Sequence, residues 1–507
     1  MIEQTTVPAV SRAQALSLAV FRICYGTVLF IEVCHLYYFR HLILDPVPYL
    51  QPAPSLLNLL LVAWFATILC VILGYRTLLA CVLNYGFTVI FLGILLYPGF
   101  EYHVDYVYLG VNFLLMLIPV SDRISIDSYR KTQKQKPLPP IRNYSLYINT
   151  LLFVGIALVY ADSVFFKMGS SMWRSGLGVW LPASLPQNSW FPVPQIMLDQ
   201  KWLMLSMGYL TLVFETLFPF LMWWHRARLP LFVIGVGLHF SIGFVFPIPF
   251  FGLTYLCLYL LLLPVSCWQS LDRLLQRSRK EQHSEPEGQL PTSSIEWPQW
   301  GIREKLTLAT LCIVTALQVC FIIGRFPQLP EHIKPGALKP IASLVTDPCV
   351  YLRNKLAKPA RVALGVTDHP VFMDHHFQNY KRLYAIQYKN PDGKSSFLPV
   401  KLSDGRPGAY LTGRLWVWWN WRVSGPDLSK ERFELGLQKL TSFWAFKNQV
   451  SLDHADFEIL SKPVQTPSAW EPGYLTEQKR QNWKVVGYVT WRDSQFTFSL
   501  KKQALHN

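Results

Sequence analysis

The chain has 507 residues, 51% of them apolar and only 15% charged, with a formal net charge of +16. That balance excludes a single soluble globule and points to a membrane protein carrying a soluble part. Basic loops beside anionic head groups account for the excess positive charge, so nucleic-acid binding is not needed to explain it.

Nine apolar runs, at about 15–37, 55–74, 77–98, 104–120, 144–166, 203–224, 230–246, 250–266 and 305–324, predict an α-helical polytopic membrane bundle. Each approaches the roughly 20 residues a helix needs to cross about 30 Å of hydrocarbon. The first is too long for a cleaved signal, carries Arg12 and Arg22 before and within it, and has no small-residue cleavage site after it. The two runs flanking Pro247 and Pro249 are short, and a re-entrant hairpin there would look similar.

Residues 267–283, CWQSLDRLLQRSRKEQH, have helical spacing with a basic face and predict a helix along the cytoplasmic membrane surface. SEPEGQLPTSS after them reads as a linker, so the segment 267–303 belongs with a transmembrane domain of residues 1–325. Residues 326–507 then predict a soluble α+β domain. RLYAIQYKNPDGKSSFLPVKL reads as two strands about a turn at Asp392-Gly393, and VVGYVTWRDSQFTFSL as a second hairpin. SKERFELGLQKLTSFWAF between them has a serine start signal and helical apolar spacing. RLWVWWNWR, residues 414–422, alternates like a strand and predicts an aromatic core strand, a lip on the bilayer interface, or a stacking site.

Lys and Arg in short loops orient a membrane protein. If all nine runs cross, the loops on the N-terminal side hold 1, 1, 6, 2 and 6 basic residues, sixteen in total, against four (Arg40, Lys167, Arg174, Lys201) opposite. The N-terminus is therefore expected in the cytoplasm and the C-terminal domain in a periplasmic, extracellular or lumenal space. The absence of an Asn-x-Ser/Thr sequon after residue 326 favours a bacterial envelope over an endoplasmic reticulum lumen. Of nine cysteines only Cys349 belongs to the outer domain, which excludes a disulfide within it, and no C-x-x-C or other metal-ligand spacing occurs.

Charges inside apolar spans are costly, so each needs a partner or a task. They are Arg22, Glu32 and His35 in the first run, His103 and Asp105 at the fourth, Asp162 and Lys167 in the fifth, Glu215 in the sixth and His239 in the seventh. Lys167 either snorkels to the outer head groups or serves chemistry. Glu215 is too deep to snorkel; it is a structural ion pair, with Arg22 as the candidate partner, or a ligand- or proton-handling group. His239 is a hydrogen-bonded core residue or a base.

Four ordered blocks carry a resemblance over about residues 14–270. They are LAVFRICYGTVLFIEV with its Arg followed by Gly, PVSDRISID with Ser125-Ile126-Asp127, the stretch from Tyr160 through Lys167, Trp173 and Gly176, and LHFSIGFVFPIPFFGLTYL with His239. Together they resemble the horizontally transferred transmembrane (HTTM) domain family, to which the vitamin K-dependent γ-glutamyl carboxylases belong. The resemblance implies a lyase-type carboxylase using reduced vitamin K or another prenylquinol and no metal. Lys167 would be the base that ionises the quinol, whose oxygen chemistry then removes a γ-proton from a protein glutamate. It implies His239 as the second catalytic residue and Glu215, Tyr160, Trp173 and Arg22 as substrate-binding residues, with a partner protein presented from the outer side. The chain departs from the carboxylase pattern at Ser163-Val164, where the family has Ala-Gly, and at Val104 with His103 one place earlier, where the family has His. The family's pairing cysteine in the outer domain has no obvious partner. Because the helix bundle occurs in relatives without known carboxylation, a non-catalytic assembly, maturation or immunity-type factor is the competing reading. A transporter is disfavoured, since no two equivalent halves with broken helices are seen.

Overall fold

The computed structural model describes residues 7–134, 143–280, 300–325, 339–390 and 392–501. The linker SEPEGQLPTSS lies outside the described residues, and the boundary expected at residue 326 falls at the edge of a stretch that is also outside them.

All nine apolar runs are helical. They form α1 (Val7–Tyr38), α2 (Ser55–Leu73), α3 (Thr77–Leu95), α4 (His103–Leu117), α5 (Tyr144–Gly169), α6 (Lys201–Leu221), α7 (Arg228–Val245), α8 (Pro249–Leu262) and, after α9 (Val265–Lys280), α10 (Ile302–Ile323). Seven of these are long and apolar enough to cross a membrane, and α8 with the start of α9, a pair bent by 90°, makes an eighth if counted as one span. The remaining run, α4, is a shorter apolar helix. Leu260 at the end of α8 and Leu263 just after it pack with Ala13 and Leu16 near the start of α1 and with Trp268 of α9. The bend sets α9 crosswise, as its basic amphipathic sequence predicts.

Side-chain hydrogen bonds sort the loops into two ends. At the basic end, Asp127 accepts from the amides of Arg76 and Thr77, Tyr144 donates to Asp122, Arg123 pairs with Asp272, and Tyr147 donates to Glu304. Arg22 belongs to this end, where its guanidinium donates to the carbonyls of Val120 (2.7 Å), Ile72 (3.3 Å) and Ile124. Gly74 caps α2 at φ +66 and must be glycine, because a Cβ there would lie 2.3 Å from the Ser125 side chain and 3.0 Å from Arg22.

At the opposite end sits the C-terminal layer. Strands β1 (Arg382–Lys389), β2 (Ser395–Phe397), β3 (His454–Pro463), β4 (Lys484–Arg492) and β5 (Gln495–Leu500) form one antiparallel sheet in the order β2-β1-β3-β4-β5. Both predicted hairpins are present. Before the sheet comes α11 (Lys339–Leu364), and α12 (Lys430–Lys447) packs Phe433 on Tyr384 and Trp444 on Phe457. RLWVWWNWR is not a strand: Arg414–Val417 is α-helical and Trp418–Val423 a π-helical turn, with Trp416, Trp418 and Trp419 buried. A period of two cannot discriminate where apolar side chains are wanted on every side.

Two features join this layer to the bundle. One apolar cluster runs from α1 through Phe39, Tyr410 and Phe443 into the sheet. α11 itself runs alongside α3, α4 and α10, and Tyr85 of α3 donates to its Ala363 carbonyl at 2.6 Å. The chain then turns at Gly365 and passes α10, where Gln318 donates to the Thr367 carbonyl at 3.1 Å. Arg325 bridges Asp162 (2.7 Å) and Asp368, so one intramembrane acid has found its partner in the segment following α10.

Candidate functional site

α5 and α6 are neighbours, and Lys167 on the last turn of α5 meets Glu215 in the C-terminal half of α6. The lysine Nζ lies 2.6 Å from each carboxylate oxygen, with the two residues only 4% and 6% exposed. Lys167 therefore does not snorkel, and Glu215 does not pair with Arg22, which is bound at the basic end of the bundle. The expected Arg22–Glu215 pair rested on Arg22 being a cation in a span; antiparallel packing of α5 against α6 brings Lys167 closer. Burying an isolated charge here would cost several kcal/mol, and the pair largely offsets that cost.

The ammonium also lies 4.4 Å from the centroid of the Trp173 ring, a cation–π contact. Trp173 is held both by the end of α5 and by the segment that follows α11. Ser170 accepts from its amide (3.2 Å) as the cap of a short turn, Ser171–Arg174, and its indole N–H donates to the Phe372 carbonyl at 2.7 Å. Asp374 accepts from the Ser171 hydroxyl (2.8 Å) and the Met172 amide (3.0 Å). Burial pushes the Asp374 carboxyl upward, but hydrogen bonds from Ser170, Met172 and Ser171 outweigh it and hold the group below the usual carboxylate range. Gly176 then turns at φ +79, and its carbonyl approaches α6 so closely that a Cβ on Gly208 would lie 2.4 Å from it. The Lys, Trp and Gly of that stretch thus have distinct tasks: ion, lid for the ion, and the turn that docks the lid on α6.

The facing wall comes from α7 and α8. His239 Nε2 is 2.7 Å from the Tyr160 hydroxyl, which also makes a short hydrogen bond with the Tyr259 hydroxyl. The imidazole stacks flat on Tyr255, centroids 4.2 Å apart and planes 2° apart. His239 Nδ1 is buried and has no hydrogen-bond partner among the described residues.

Between the walls lies a cavity of about 430 Å³ lined by Lys167, Glu215, Trp173, Tyr160 and His239 and otherwise mainly by aliphatic and phenylalanine side chains. Five of the six predicted site residues meet there; Arg22 does not. Ser163 also lines it, at the position where the carboxylase pattern has Ala. Tyr255 and Tyr259 were missed by the sequence reading, although their spacing of four in FFGLTYLCLYL places both on one helix face. A second cavity of about 240 Å³ lies beside the first, sharing Phe251, Val371 and Phe372 with it, and is walled by Glu101 and His103 at the entry to α4 and by His376, Trp421 and Arg422 of the C-terminal layer. Among the described residues no cluster of His, Cys, Asp and Glu could hold a metal ion.

Residues 11–268, just over half the chain, match the model of the HTTM domain. No curated protein and no solved structure matches the chain.

Proposed function

The chain belongs to the HTTM domain family, and from that premise we propose that it is a multi-pass membrane enzyme acting on a prenylated quinol, with the Lys167–Glu215 pair as its proton-handling centre. The observation that carries this reading is a buried, bidentate acid–base pair opening onto a largely apolar cavity between apolar helices. A volume of about 430 Å³ lies within the common range for small-molecule sites. Its aliphatic and aromatic walls suit an isoprenoid-bearing ring, and its few polar atoms suit the ring oxygens.

When bound, a quinol supplies two ionisable ring hydroxyls and a pair of electrons. The chain's own residues do the rest. Lys167 Nζ and Glu215 form a site where a proton removed from a ligand hydroxyl is held out of reach of water. The Trp173 face stabilises the ammonium when that proton is present. His239 contributes its unpartnered ring nitrogen on the opposite wall.

Carboxylation of a glutamate on a partner protein is the finer reading. The second cavity supports it, because that cavity is walled by the C-terminal layer and adjoins the first. We place the basic end in the cytoplasm, supported by the sixteen-to-four distribution of loop charges. A reporter enzyme that works only outside the cytoplasm, fused after Asn507, is expected to be active; a cytoplasm-only reporter active at that position would reverse the orientation.

A non-catalytic maturation or assembly role is favoured by one observation: both Glu215 oxygens already contact Lys167, as in a closed structural pair. A lipid extract separates the readings. Protein purified in mild detergent is expected to carry a prenylquinone near one per chain. A quinone-free extract that also fails to take up added menaquinone favours the non-catalytic role.

A further inference from the structure

His239 can carry its proton on either ring nitrogen, and the hydrogen bond made by one nitrogen decides the state of the other. Its Nε2 contacts Tyr160 OH, and Tyr160 OH contacts Tyr259 OH. No carboxylate contacts the ring, so it is taken as neutral. Besides an arrangement in which Tyr160 accepts from both neighbours and leaves its own O–H and Nδ1 without partners, two chained arrangements of protons are then available. In the first, Tyr259 donates to Tyr160 and Tyr160 donates to Nε2, so Nδ1 carries the proton. In the second, Nε2–H donates to Tyr160 and Tyr160 to Tyr259, which leaves the Tyr259 O–H without an acceptor among the described residues and Nδ1 as a bare lone pair.

The first arrangement satisfies both tyrosine hydroxyls and leaves a single orphan, the Nδ1–H; the second leaves two. Each buried polar atom left without a partner is costly, so the first is favoured. Stacking on Tyr255 fixes the ring plane and with it the direction of that N–H. His239 lines the large cavity and Nδ1 has no protein partner.

We infer that Tyr160 is a positioning residue that fixes His239 in its Nδ1–H tautomer, and that this N–H is the anchor for a hydrogen-bond-accepting oxygen on a ligand that is otherwise apolar. A quinone carbonyl or quinol ether-like oxygen has that chemistry; an ammonium ligand is rejected. The ligand class rests on the quinol reading above, whereas the tautomer does not.

The test has two readouts. Full-length protein labelled with [¹⁵N]histidine in lipid nanodiscs, with the His239 signals identified by their loss in His239→Gln, is expected to show protonated Nδ1 and bare Nε2. Tyr160→Phe, which removes the donor, is expected to lose that preference, and Tyr259→Phe to keep it. Protonated Nε2 in the unaltered protein overturns the assignment. Menaquinone titration then tests the anchor: Tyr160→Phe is expected to weaken binding about fivefold, the worth of one neutral hydrogen bond, and Tyr259→Phe by less than about twofold. Equal binding by the unaltered protein and Tyr160→Phe overturns the anchoring role. Absence of menaquinone binding in every form overturns the quinol reading alone, and the tautomer is still decided by the histidine spectrum.

Discussion

Arg414→Ala is expected to be the most destabilising single substitution in the chain, lowering stability by about 3–5 kcal/mol or more. The Arg414 side chain is 1% exposed and reaches from the C-terminal layer into the bundle. Its guanidinium donates to Glu32 Oε1 (2.9 Å), to Asp105 (3.0 and 3.2 Å) and to the Phe100 carbonyl (3.1 Å), while Tyr102 donates to the same Glu32 oxygen at 2.9 Å. Burial opposes the charge on Arg414, yet Asp105 and Glu32 more than offset it and keep the group ionised. Removing the cation leaves two buried carboxylates facing each other with no counter-charge. A loss of that size is a large part of the 5–15 kcal/mol that typically separates folded from unfolded chains. Thermal unfolding in detergent measures it. Arg414→Met combined with Glu32→Gln and Asp105→Asn is expected to recover most of the loss, because the replaced groups then carry no charge. If the single variant unfolds at the unaltered temperature, the three residues do not form a coupled unit.

Lys167→Ala is expected to abolish quinone-dependent turnover and also to destabilise the protein, since it strands Glu215 in an apolar wall. Loss of activity in that variant alone would thus be ambiguous. The informative variant is Lys167→Met with Glu215→Leu. Replacing a buried pair by apolar residues of similar volume is commonly neutral or stabilising by about 1–4 kcal/mol. The double variant is therefore expected to accumulate in the membrane, to unfold at or above the unaltered temperature, and to have no turnover. Glu215→Gln is expected to retain the fold with a smaller deficit and to lose most turnover, because the amide cannot take up a proton at the carboxylate oxygen. Retention of turnover by the double variant would make the pair structural and leave the cavity without its proton acceptor.

The helical runs, their lengths and the basic side of the bundle could be read directly, because a span must satisfy its backbone within its own helix and present apolar side chains for about 20 residues. The resemblance over Tyr160, Lys167, Trp173 and His239 selected four residues that do share one cavity, and Glu215, singled out as an acid within a span, joins them there. The sheet hairpins could also be read, from Asp392-Gly393 and from the alternation in β4 and β5. RLWVWWNWR misled, because burial on all sides erases the period that separates strand from helix.

What the sequence determined by itself was which segments are apolar, which charges lie within them, and that every such charge required compensation. Which charge answers which was decided only by the tertiary structure. Glu32 is 382 residues from Arg414, and Asp162 is 163 from Arg325. Lys167 takes Glu215 while Arg22, the cation that looked available, is spent on three carbonyls at the other end. Electrostatic attraction depends on separation in space and on the dielectric between the charges, and neither is encoded in position along the chain.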